Sequence, residues 1–126
     1  MSKRILVVDD WADVNLTIRL ILEQNGFEVD TFEDPISALK GFKPDTYDLL
    51  IIDIKMRYLN GFELYKKIKE VDTKVNVLFL TAISVLEEYE EYRKELPPQE
   101  NERYFIYKPV YSNELVERVN EMITNN

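Results

Sequence analysis

The chain has 126 residues, 45% of them hydrophobic and 12% aromatic, which is enough for one compact core and close to the usual size of one domain. Its 24 acidic residues against 16 basic ones leave a net charge of −8, which argues against direct nucleic-acid binding, because a phosphate-neutralising surface needs an excess of Lys and Arg. The absence of both cysteine and histidine excludes disulfides, thiolate or imidazole catalysis and Cys- or His-ligated zinc, so any chemistry must run on carboxylates, hydroxyls, lysines and oxygen-bound cations.

No run approaches the roughly 20 apolar residues that span a bilayer, and the apolar start at Arg4 to Val8 leads into acidic residues without a cleavage pattern. A cytoplasmic location without membrane insertion is the expectation. Ile5 to Val8 reads as a first strand that stops at the adjacent pair Asp9 and Asp10. A first helix follows, with Asp13 as its N-cap, Val14, Ile18, Ile21 and Leu22 at helical spacing, and Gly26 just past its end. Phe27 to Phe32 alternates as a second strand, and Asp34-Pro35 supplies an N-cap and a first-turn proline for a short helix ending near Gly41.

The third strand, Leu49 to Ile52, is an unbroken branched run of the kind buried on both faces, and it ends on a carboxylate, Asp53. Asn60 with Glu63 forms a capping-box pattern, and Leu64, Tyr65 and Ile68 supply the buried face of a third helix. Asn76 to Leu80 is a fourth strand ending on Thr81. A second capping-box pattern, Ser84 with Glu87, opens a Glu-rich fourth helix carrying Val85, Leu86, Tyr89 and Tyr92 towards Lys94, and Pro97-Pro98 stops it. Tyr104 to Tyr107 is the fifth strand, followed by Lys108-Pro109. Ser112 then caps a fifth helix with Leu115, Val116, Val119, Met122 and Ile123 on its apolar side.

Five strand-then-helix repeats predict an α/β fold: a flavodoxin-like three-layer sandwich with a five-stranded parallel sheet in the order 2-1-3-4-5 and five helices. In that order the ends of the first and third strands are neighbours at the switch point, so Asp9, Asp10 and Asp53 converge, with Thr81 and Lys108 on adjoining loops. Convergent carboxylates raise one another's pKa, a conflict that a divalent cation removes, and hard oxygen ligands suit Mg²⁺. Taken singly, each residue has a plainer explanation. Asp53 can simply open a turn, Thr81 can be an ordinary strand-end threonine and Lys108 a solvated lysine.

Taken together and in order, VVDD ending the first strand, DIKM with the following Asn60-Gly61, Thr81-Ala82 and Lys108-Pro109 resemble the receiver domains of response regulators, the CheY-like family of two-component signalling. The resemblance runs from about Lys3 to Ile123 and implies that residues 1–126 form one receiver domain. It implies that Asp53 accepts a phosphoryl group from the phosphohistidine of a histidine kinase or phosphotransfer protein. The same resemblance implies a Mg²⁺ ion held by Asp10, Asp53 and the backbone carbonyl of Lys55, with Asp9 acting through a metal-bound water. Lys108 and Thr81 would contact the phosphoryl oxygens, the Lys108-Pro109 peptide would be cis, and Phe105 stands at the position of the switch aromatic. Such a domain catalyses only its own phosphorylation and dephosphorylation. Trp11 is expected beside the site.

Several departures accompany the resemblance. Arg57 stands where the family usually has proline, which frees a φ angle and adds a charge. The Lys55 side chain lies where it could reach phosphoryl oxygens and alter their lifetime. The connection from Thr81 to Lys108 is longer than usual, with the extra length around residues 96–103, beside the face of helix four, strand five and helix five through which receivers meet a downstream protein or a second copy of themselves. The chain ends at its last helix, as a stand-alone regulator or an excised domain would. Two other classes share part of the pattern. Aspartate-nucleophile phosphohydrolases of the haloacid-dehalogenase type place an acid where this chain has Lys55, and a receiver-like interaction module would need no phosphate.

Overall fold

Ile5 to Val8, Leu49 to Ile52 and Val77 to Leu80 are buried at every position, because consecutive side chains on a strand point to opposite faces and both faces of this sheet are covered. The computed structural model describes residues 2–96 and 102–124. Its strands are β1 (Arg4–Val8), β2 (Glu28–Phe32), β3 (Leu49–Asp53), β4 (Val77–Thr81) and β5 (Phe105–Tyr107). They form one parallel sheet in the order β2-β1-β3-β4-β5. The helices among the described residues are α1 (Ala12–Gln24), α2 (Pro35–Gly41), α3 (Gly61–Val71), α4 (Ile83–Glu87), α5 (Glu90–Arg93) and α6 (Ser112–Thr124). None is long and apolar enough to cross a membrane.

Alternation along the strands divides the core in two. Leu6, Val8, Leu50, Ile52 and Phe79 face Leu64 and Ile68 of α3 and Leu86 of α4. Ile5, Val7, Leu49, Ile51 and Leu78 face Ile18 and Leu22 of α1 and Leu115, Val119 and Met122 of α6. The three-layer α/β sandwich expected from the sequence is therefore present, with its strand order.

Local chemistry explains most helix ends. Asp34 accepts a hydrogen bond from Ser37 N at 2.8 Å with Pro35 at the first helical position. Asn60 and Glu63 form the reciprocal capping box at α3, each bond 2.9 Å long. Gly26 follows α1 with φ +89°, a conformation that costs a glycine little.

The structure corrects the sequence reading in four places, one being that Ser112 is the first residue of α6 rather than its cap. The α1 N-cap is Trp11 rather than Asp13, which instead sits in the first turn, where a carboxylate is favoured by the helix dipole. No side-chain cap opens α4: Ala82 is the N-cap, and the Ser84 and Glu87 capping box does not form. The expected single fourth helix is two short ones, broken at Tyr89 (φ −118°, ψ 26°), so the helices number six rather than five among the described residues. Glu87, Glu88, Glu90 and Glu91 would place like charges at three- and four-residue spacing along a continuous helix, which disfavours it. The break also lets the rings of Tyr89 and Tyr92 both reach Phe62, at 6.4 and 5.6 Å between centroids. The Pro97-Pro98 stop and residues 97–101 of the long connection lie outside the described residues. Beyond them, Arg118 of α6 donates to the carbonyls of Arg103 and Phe105 at the start of β5.

Candidate functional site

The carboxyl ends of β1 and β3 lie side by side, since Val8 pairs with Ile52, and this register brings Asp9 next to Asp53. Asp9 is fully buried and is held on every side. Its backbone N–H donates to Phe32 O at 3.2 Å, its Oδ1 accepts from Trp11 N at 2.9 Å, and its carbonyl accepts from Asn15 Nδ2 at 2.9 Å. Asn15 Nδ2 also donates to Phe32 O, at 3.1 Å, so one amide ties the ends of β1 and β2 together. Asn15 escaped the sequence reading, yet its signal was there: it lies three and seven residues before Ile18 and Leu22, on the buried face of α1.

Asp53 is 6% exposed and sits where β3 meets α3. The approach is close because Gly61 packs its Cα against the strand end; a Cβ there would lie 2.5 Å from Asp53 O. Lys108 follows β5, with its N–H donating to Thr81 O at 2.9 Å, and a cis peptide joins it to Pro109, as the family resemblance implied. Its ammonium bridges the two acids, 3.0 Å from Asp9 Oδ2 and 3.2 Å from Asp53 Oδ1. Burial pushes the Asp53 carboxyl up to about 6, the negative charge of Asp9 adds to the effect, and Lys108 opposes it. Burial alone would lower the Lys108 pKa, but Asp53 and Asp9 outweigh it and raise it.

Asp10 stands at the rim. Its Oδ2 accepts from Arg57 N at 3.2 Å and lies 3.8 Å from Arg57 Nε, whereas its Oδ1 is buried with no hydrogen-bond partner. Thr81 is buried, and its hydroxyl donates to Ala82 O at 2.9 Å. Phe105 is buried as well, stacked on Phe79 at 5.7 Å, with the Arg93 guanidinium 5.1 Å from its ring centroid. Two side chains fall elsewhere than expected. Trp11 is 70% exposed rather than packed beside the acids, because as N-cap residue it contributes only its backbone. The Lys55 ammonium is exposed and pairs with Glu88 at 3.7 Å. Among the described residues no three acidic side chains close into a metal cage.

In this doubly wound α/β protein the buried carboxylates and the lysine are gathered at the switch point, the place where open α/β sheets bind ligands. A family model for the response regulator receiver domain matches residues 5–120, and the chain belongs to that family. The chain is 30% identical to the chemotaxis protein CheY of Bacillus subtilis over 98% of its length and 99% of the relative's. It is 34% identical over 65% of its length to the alkaline phosphatase synthesis transcriptional regulatory protein PhoP of the same organism, of which it spans only 34%. Among solved structures, a response regulator receiver domain protein from Clostridium thermocellum superposes with a TM-score of 0.80 at 26% identity, covering 98% of this chain and 95% of the other. The non-phosphorylated HemR receiver domain of Leptospira biflexa gives 0.80 at 27%, with the same coverages. The chain is thus a signalling receiver domain of two-component response regulators.

Proposed function

We propose that Asp53 accepts a phosphoryl group in a Mg²⁺-dependent reaction, and that the resulting acyl phosphate shifts the domain, residues 1–126, between two conformational populations. The observation that carries this reading is the convergence of Asp53 and Lys108 at the end of β3, 3.2 Å apart, with Asp53 buried and Lys108 half-buried. Asp53 attacks the phosphorus of a phosphohistidine, the P–N bond breaks, and the imidazole leaves with the electron pair and takes up a proton. These 126 residues hold no histidine, so the phosphohistidine lies outside them, on a histidine kinase or phosphotransfer protein.

The donor atoms fit Mg²⁺. Asp10 Oδ1 is a buried carboxylate oxygen without a partner, Asp53 is disfavoured as an anion by burial and then by Asp9, and Mg²⁺ needs only one or two carboxylates because it keeps several waters. Asp10, Asp53 and the Lys55 carbonyl would hold it directly. Asp9, both of whose oxygens are already engaged, would act through a bound water. When bound, the ion supplies positive charge beside the transferring oxygens. Lys108, 3.2 Å from Asp53 Oδ1, supplies a second positive charge. Thr81 is the hydroxyl that can exchange Ala82 O for a phosphoryl oxygen, and such a differential contact is what a population shift requires. Phe105 and the face made by α4, α5, β5 and α6 carry the change to a downstream protein or to a second copy of the chain.

Intact mass after incubation with Mg²⁺ and acetyl phosphate tests the reading. A labile, Mg²⁺-dependent phosphate adduct, absent from Asp53→Asn, is expected. No adduct with any donor would leave a phosphate-independent interaction module instead, and catalytic turnover of phosphoesters would indicate a phosphohydrolase.

A further inference from the structure

Arg57 lies in the loop between β3 and α3, next to Tyr58, whose backbone is left-handed at φ +73°. Two groups of this one residue meet the same oxygen: the backbone N–H donates to Asp10 Oδ2 at 3.2 Å, and the guanidinium Nε lies 3.8 Å from it. The other cations near the site are committed elsewhere, Lys108 to Asp9 and Asp53 and Lys55 to Glu88. The guanidinium is therefore the basic side chain that neutralises Asp10, the carboxylate with an unpartnered buried oxygen. A divalent ion on Asp10 would share that carboxylate with a fixed positive charge and be repelled by it.

We infer that Arg57 is a tethered counter-cation that competes with the divalent ion for Asp10 and so sets the metal affinity of the site. The inference rests on the reading of Asp10 as a Mg²⁺ ligand. The two contacts have separable roles. The backbone N–H persists in any non-proline variant and keeps Oδ2 oriented, whereas the guanidinium contributes charge alone. Arg57→Ala consequently removes the competitor without releasing the carboxylate. Because the Arg57 side chain is 66% exposed, solvent screens its charge and the effect is a few-fold one.

Titration of the full chain with Mg²⁺, followed by calorimetry and by fluorescence of the single Trp11, tests this. Arg57→Ala is expected to bind Mg²⁺ about three- to tenfold more tightly than wild type, and Arg57→Lys to stay close to wild type. Lys74→Ala, which makes the same change in net charge at the opposite end of the sheet, is expected to stay within about twofold. Unchanged or weaker binding in Arg57→Ala overturns the inference, and so does equal tightening in Lys74→Ala. Asp10→Asn separates the two levels. If it binds Mg²⁺ as wild type does, the Asp10 reading fails and the Arg57 inference with it. If it loses binding while Arg57→Ala changes nothing, only the Arg57 inference fails.

Discussion

Holding Asp53 ionised in a buried site beside Asp9 costs stability, and the cost has a definite pH range. A carboxyl raised from 3.8 to about 6 binds its proton more tightly when folded. The penalty is therefore absent below the unfolded value, grows between the two values and is complete above about 6. The shift of about two units sets an upper bound of about 3 kcal/mol. In the presence of chelator, Asp53→Asn is expected to be more stable than wild type at pH 7.5, with the difference vanishing towards pH 4, as urea denaturation at the two pH values would show. Lys108→Ala has the opposite sign at neutral pH, since it leaves Asp9 and Asp53 facing each other without their shared ammonium. A loss of about 2–4 kcal/mol is expected in the same measurement, together with loss of the phosphate adduct. Asp9, Asp10, Asp53 and Lys108 stood out in the sequence because each breaks an apolar strand pattern at its end. The contact of Arg57 with Asp10 could not be read there, because it joins loops 47 residues apart and depends on how the chain turns at Tyr58.

The joint between β3 and α3 is the element on which Asp53 depends most. Gly61 there has no room for a methyl group beside the Asp53 carbonyl. Gly61→Ala is expected to cost about 1–3 kcal/mol by denaturant titration and to slow adduct formation, because relief of the clash has to move the strand end or the helix. The α4–α5 segment depends on packing rather than on its own helix propensity. Phe62→Ala should cost about 3–5 kcal/mol and accelerate amide hydrogen exchange first in α4 and α5, whose tyrosines rest on that ring. Strands and strand order were legible because branched apolar runs and alternating helices leave few topologies open. The break at Tyr89 was not, because Val85, Leu86, Tyr89 and Tyr92 satisfy the periodicity of one continuous helix; repulsion among Glu87, Glu88, Glu90 and Glu91 weakens such a helix without saying where it breaks, and the tertiary contact with Phe62 sets the place.

For the molecule as a whole, Mg²⁺ binding at the proposed site would be linked to global unfolding. At a concentration ten times the dissociation constant, a single site adds about 1.4 kcal/mol, so the melting temperature should rise with Mg²⁺ in wild type and much less in Asp10→Asn. The sheet ends at β2 on one side and at β5 on the other, and β5 is only three residues long. Arg118, reaching across from α6, occupies the carbonyls of Arg103 and Phe105. An open strand edge invites another chain to add to it, and a three-residue strand whose first carbonyl, that of Phe105, is already taken offers little template. Self-association by strand addition is thereby disfavoured at this border, and two copies meeting on this side would have to do so through helices. Arg118→Ala is expected to leave the acid pocket intact but to increase aggregation during storage at high concentration, read by light scattering.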